Sequence, residues 1–135
     1  MHINGHLKSY KKVKTVDESE HYVDLTAYFE RGQLRKLVTG EGDDFSHIEE
    51  YYYWYGRLIF IFEEYIYPDF DSQGKQKQSL RTQNRYYFHK GKMIRWINEK
   101  GHVISPGTQE FKKEETFRIW SSREAIASLR KKHRH

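Results

Sequence analysis

The sequence predicts an α+β fold, an antiparallel β-meander of three hairpins (six or more strands) between a short N-terminal and a long C-terminal helix. Three observations predict it. The dipeptides Arg31-Gly32, Tyr55-Gly56 and Lys90-Gly91 each sit between runs of aromatic and β-branched residues. An X-Gly pair of this kind supplies the positive φ angles of a two-residue hairpin turn. The most apolar stretch of the chain, EEYYYWYGRLIFIFEEYIY at residues 49–67, is built around the second of these pairs. After Ser105-Pro106-Gly107 the pattern changes to a helical period.

Taken in order, residues 1–16 place Ile3, Leu7 and Tyr10 on one helical face and predict the N-terminal helix. From His21 to Glu30, Val23, Leu25, Ala27 and Phe29 alternate with Tyr22, Asp24, Thr26 and Tyr28, a half-buried strand. A tight turn at Arg31-Gly32 sets Phe29 opposite Leu34 and Leu25 opposite Val38. The second turn sets Tyr53 opposite Leu58 and Tyr51 opposite Phe60. Leu58-Ile59-Phe60-Ile61-Phe62 is apolar on both faces, so this strand should be central, with a helix covering each side of the sheet. Residues 68–79, PDFDSQGKQKQS, are polar and aperiodic and predict a long loop. The third hairpin pairs Phe88 with Met93, Tyr87 with Ile94, Arg85 with Trp96 and Arg95 with Tyr86. In the last segment Phe111, Glu115, Ile119, Ser122, Ile126 and Leu129 form one stripe of a helix. A second reading breaks that helix at Ser121, where Ser121 and Glu124 would form a capping box. The expected organisation is one domain over 1–135, with helix at 1–16, sheet at 20–104 and helix at 108–131.

Composition narrows the function classes. Only 36% of the 135 residues are apolar, but 16% are aromatic and eleven are Tyr, which can line a thin amphipathic core. The absence of cysteine excludes disulfides and thiolate chemistry. No apolar run approaches the ~20 residues of a helical membrane span, and no secretory leader is evident. The net charge of +5 is unevenly spread. Residues 17–74 hold fourteen acids against four bases, and residues 75–135 hold sixteen bases against five acids. The expectation is internal neutralisation between acidic and basic hairpins, ahead of a surface for an anionic partner.

Four patterns in the sequence bear on chemistry. Asp69-x-Asp71-x-Gln73-Gly74 copies the opening of a calcium loop, but the twelfth position is Leu80 where a bidentate glutamate is needed. The eight histidines include the pairs His2/His6 and His133/His135, neither with a third ligand, while His21, His47, His89 and His102 occupy ordinary strand or turn positions. Glu49, Glu50, Glu63 and Glu64 bracket the central hairpin and would suit a carboxylate dyad if burial raised one of them. Arg81, Arg85, Tyr86, Tyr87, His89, Lys90, Lys92, Arg95 and Trp96 interleave cations and rings as single-strand nucleic-acid binders do, although cross-ladder contacts would occupy the same groups. No metal, cofactor or catalytic residue is expected. The candidate interaction surface is Arg85, Tyr87, His89, Arg95, Trp96, Tyr52, Asp69 and Asp71, for an unidentified protein or small ligand.

Aligned on Gly32, Gly56 and Gly91, the three hairpins share Tyr28, Tyr52 and Tyr87 four residues before, Phe29, Tyr53 and Phe88 three before, and Leu34, Leu58 and Met93 two after. Tyr53-Trp54-Tyr55-Gly56-Arg57-Leu58 and the set Arg85, Tyr86, Tyr87, Phe88, Gly91, Lys92, Ile94, Arg95 and Trp96, with the later QEFKKEE, carry a resemblance over about residues 20–115. The chain resembles a set of exported or lipid-anchored bacterial proteins, common in Bacteroidetes, with E-x-Y-Y-F-x-x-G-K-L-x-F and R-Y-Y-F-x-x-G-K-L-I-R-W hairpins. It departs from them at Gln33, where they have Lys. The resemblance implies a periplasmic or cell-envelope home, with the cytoplasm as the alternative, and a sheet between terminal helices. It implies no activity. The expected function is therefore a non-enzymatic binding or interaction module. A single-stranded nucleic-acid binder is the alternative, and an enzyme with paired carboxylates stands third.

Overall fold

A computed structural model describes residues 11–17, 23–41 and 46–132. The chain forms an eight-stranded antiparallel sheet in which each strand pairs with its sequence neighbours. The strands are β1 (Lys11–Asp17), β2 (Val23–Glu30), β3 (Gln33–Glu41), β4 (Ser46–Trp54), β5 (Arg57–Phe70), β6 (Gln76–His89), β7 (Lys92–Ile97) and the two-residue β8 (Val103–Ile104). Among the described residues one helix, α1 (Gln109–Lys132), crosses one face of the sheet.

The three X-Gly pairs are chain reversals. Arg31, Tyr55 and Lys90 adopt φ near +50°, and Gly32, Gly56 and Gly91 lie near +80°. Two positive angles in succession are what a type I′ turn requires. The pairs next to the turns are as expected: Phe29 opposite Leu34, Tyr53 opposite Leu58 and Phe88 opposite Met93.

Beyond them the expected register is off by one. Arg35, Ile59 and Ile94 are the unmatched residues of three β-bulges, so Tyr28 meets Lys36, Tyr52 meets Phe60 and Tyr87 meets Arg95. Leu25 therefore pairs with Thr39, Tyr51 with Ile61, Tyr86 with Trp96 and Arg85 with Ile97. The bulge keeps the inner face apolar. Leu37, Ile61 and Trp96, three residues beyond Leu34, Leu58 and Met93, return to the helix side and are buried.

Two further expectations are corrected. The N-terminal helix was expected over residues 1–16, but Lys11–Asp17 is a strand paired with β2, and residues 1–10 lie outside the described ones. Val13, Thr15 and Val16 are β-branched and favour a strand. Residues 68–79 are not a loop. Most of them form the far end of the β5–β6 hairpin, whose pairing continues through Tyr67–Leu80 and Asp69–Lys77 to Phe70–Gln76. Pro68 sits at the register shift between Tyr67 and Asp69. A residue without an N–H is tolerated at such a point.

Helix α1 begins one residue after the expected start and runs through Ser121 without a break. Thr108 caps it, its Oγ1 accepting from Phe111 N at 3.2 Å. The inner face carries Leu25, Ala27, Leu37, Tyr51, Tyr53, Ile61, Tyr86, Phe88, Met93 and Trp96, which pack with Phe111, Ala125 and Leu129 of the helix. On the outer face one rung across six strands reads Tyr28, Lys36, Tyr52, Phe60, Tyr87 and Arg95. No helix covers that face among the described residues.

Candidate functional site: a charged cluster and two apolar grooves under the helix

The expected interaction residues fall into three places. Tyr52, Arg85, Tyr87 and Arg95 share the outer face, where Arg85 lies over Phe62 at 5.2 Å and Lys36 over Tyr52 at 5.0 Å. Lys36 also pairs with Glu50 at 3.3 Å. Trp96 is on the opposite, inner face, stacked on Tyr86 and donating to Asn84 Oδ1 at 3.1 Å. His89 is exposed at the tip of the third hairpin. Asp69 and Asp71 are at the far end of the β5–β6 hairpin. There Asp71 Oδ1 accepts from Gln73 N and Lys75 N, both at 2.9 Å, so this carboxylate builds the turn.

The inner face holds a cluster that the sequence reading placed elsewhere. The bulge at Ile59 sets Glu49 directly opposite Glu63. Two carboxylates so placed repel unless a cation intervenes, and Arg118 from the helix does. Its Nη1 and Nη2 donate to the two oxygens of Glu63, each at 2.9 Å, Nη1 reaches Glu49 at 3.2 Å, and Nε donates to Glu114 at 2.9 Å. The guanidinium also lies over Tyr86 at 4.5 Å. His47 Nε2 is 2.9 Å from Glu63 and its ring stacks on Tyr65. Asn84 donates to Glu63, Tyr86 to Glu114 and Tyr51 to Glu49. Arg118 is not among the residues singled out from the sequence. Its place between Glu115 and Ser122 in the buried stripe was the available signal.

The electrostatics follow from these contacts. Burial pushes the Glu63 carboxyl up, but the His47 hydrogen bond and Arg118 more than offset it, so it titrates below the usual carboxylate range. Burial works against the charge of Arg118, yet Glu63, Tyr86 and Glu114 hold it cationic. Burial pushes Tyr86, Tyr51 and Tyr53 far up, and Tyr65 up to about 12.

A cavity of about 460 Å³ opens beside this cluster, lined by Glu63, Glu114, Arg118, Trp96 and His102 among others. Facing carboxylates beside a cavity are the feature sought for a glycosidase-like dyad. The chemistry does not follow: a general acid needs a raised pKa, and Glu63 is held ionised by a bidentate arginine. His47, Glu49 and Glu63 also bring three ligand atoms within 4.8 Å of one another. The positive charge this trio calls for is already supplied by Arg118 at 2.9 and 3.2 Å.

Two larger cavities lie under the other half of the helix, on either side of the β4–β5 turn. One of about 730 Å³ is lined by Phe29, Leu34, Tyr53, Ile126 and Leu129, with Tyr55 and Arg130 on its wall. The other, of about 570 Å³, is lined by Tyr53, Leu58, Phe88, Ile119 and Ile126, with Arg57, Lys90 and Arg123 on its wall. Tyr53, Gly56 and Ile126 are common to both. Among the described residues, no carboxylate lines either one. The Tyr53 hydroxyl is taken by Ser122 Oγ at 2.7 Å, which ties the helix to the sheet between the two grooves.

No helix among the described residues is long and apolar enough to cross a membrane. No family model, curated protein or solved structure matches the chain.

Proposed function

We propose that this chain is a non-catalytic binding module that holds an apolar ligand between helix α1 and the hairpin tips. The single observation that carries this reading is the pair of grooves of about 730 and 570 Å³ that meet at Tyr53 and Ile126. Both are in the size range of small-ligand sites and lined mainly by apolar and aromatic side chains. The neutralised Glu63–Arg118 cluster argues against a hydrolytic role, because its charged groups are spent on one another. A location outside the cytoplasm rests on the hairpin resemblance alone, and cell fractionation of the tagged native protein tests it.

The uncharged dye Nile red reports the binding. Its fluorescence should rise on mixing with the wild type. Ile126→Trp, which fills the wall shared by both grooves, should remove most of that rise, whereas Ile94→Trp at the exposed bulge of the third hairpin should keep it. No rise with the wild type, or one indifferent to Ile126→Trp, refutes the reading.

A second reading has one observation in its favour, the outer-face rung of Tyr52, Phe60, Tyr87 and Arg95. The ring centroids are 5.6 Å apart for Tyr52 and Phe60 and 4.9 Å for Phe60 and Tyr87. Tyr52 is buried at 2% exposure, so bases would stack on the half-buried Phe60 and Tyr87 beside Arg95. Oligonucleotide binding that weakens steeply with salt and is lost in Tyr87→Ala would support it.

A further inference from the structure

The two grooves differ in charge, and the difference points to a ligand class. Arg57 opens β5, Lys90 sits in the third turn and Arg123 projects from the helix, so three separate elements bring a cation to the wall of the smaller groove. All three are exposed, and among the described residues none makes an ion pair or a side-chain hydrogen bond. Four cations elsewhere in the fold are neutralised by carboxylates. Arg35 pairs with Glu30, Lys36 with Glu50, Arg81 with Glu64, and Arg118 with three carboxylates. The floor beneath the three cations is apolar, formed by Leu58, Phe88, Ile119 and Ile126. An apolar floor and an unopposed positive wall complement a molecule with a hydrocarbon body and one anionic head.

We propose that the groove between the second and third hairpin tips binds a free amphipathic anion of the fatty-acid type. Its chain lies over Leu58, Phe88 and Ile126, and its carboxylate lies among Arg57, Lys90 and Arg123. The proposal rests on the grooves being the ligand site and adds the charge of the ligand.

Calorimetric titration of the full chain with laurate and with dodecanol, both below micelle formation, separates the two claims. Laurate should bind the wild type more tightly than dodecanol. The Arg57→Ala/Lys90→Ala/Arg123→Ala variant, altered only at exposed positions, should lose about tenfold in laurate affinity while dodecanol changes less than twofold. Equal binding of the two by the wild type, or laurate affinity unchanged in the triple variant, overturns the proposal while leaving an apolar site. Absence of binding by both ligands overturns the site as well. Co-sedimentation with phosphatidylglycerol vesicles covers the other source of the same chemistry. Binding to vesicles without binding of monomeric laurate would reassign the cations to a membrane surface and overturn the proposal.

Discussion

Removing Arg118 should convert the inner-face cluster from a stabilising network into buried repulsion. Arg118→Ala deletes the bidentate contact to Glu63 and the contacts to Glu49 and Glu114. The Glu63 side chain is 3% exposed, so it cannot regain water without local opening. Breaking a buried pair from one side costs about 3–5 kcal/mol. For a chain of this size that corresponds to a fall in melting temperature of roughly 10 °C or more. The size of the pH dependence distinguishes this from simple loss of packing. In the wild type the depressed Glu63 pKa contributes stability that is complete above the unfolded carboxylate value of about 4.3 and is lost as pH falls through the folded value. In Arg118→Ala, burial is no longer offset by the guanidinium. The His47 hydrogen bond still lowers the Glu63 pKa, so it should rise only toward its unfolded value, and the variant should lose less stability than the wild type as pH falls below about 4.3. Urea unfolding at pH 7 and at pH 3 measures both effects. Adding Glu63→Gln should recover at least half of the loss at pH 7. A loss under about 1 kcal/mol at pH 7, or a variant that weakens between pH 7 and pH 3 as much as the wild type does, refutes the account.

Three other outcomes are expected. Arg31→Asn should stabilise by a few tenths to about 1 kcal/mol, because Arg31 holds φ at 51° and asparagine tolerates that region better; chemical denaturation checks it. Thr108→Ala should cost about 1 kcal/mol by removing the cap on Phe111 N, read as faster amide exchange in the first turn of α1. Ultraviolet titration should show Tyr51, Tyr53, Tyr65 and Tyr86 still protonated at the free-phenol value of about 10. Their raised values contribute stability that is complete below the unfolded value of about 10 and is lost progressively as pH rises above it, so alkaline unfolding should release all four together.

The turns were legible because an X-Gly pair between alternating apolar runs has a specific backbone meaning, and all three proved to be chain reversals. The helix was legible from its stripe. The bulges were missed because Leu58-Ile59-Phe60-Ile61-Phe62 is apolar at every position and hides a change of phase. The other two hairpins do carry the signal: Leu34 to Leu37 and Met93 to Trp96 are spaced by three, not two. Missing that phase moved Trp96 to the wrong face and separated Glu49 from Glu63. The polar strand pairs at 68–70 and 76–80 had no apolar periodicity to reveal them, because this ribbon runs beyond the last β4 partner at Ile66. His47 could not be located from sequence, since its neighbours Glu63 and Tyr65 reach it only through the sheet.

Because every strand lies beside its predecessor in the chain, the sheet can zip up outward from the central ribbon with short loop closures. The helix is the exception. Its seryl hydroxyls at 121 and 122 meet tyrosines 70 and 69 positions earlier. A tether pulling on the C-terminus should therefore peel α1 away before any ladder breaks, baring the grooves and the Glu49–Glu63 pair at one stroke and leaving the ribbons intact behind it.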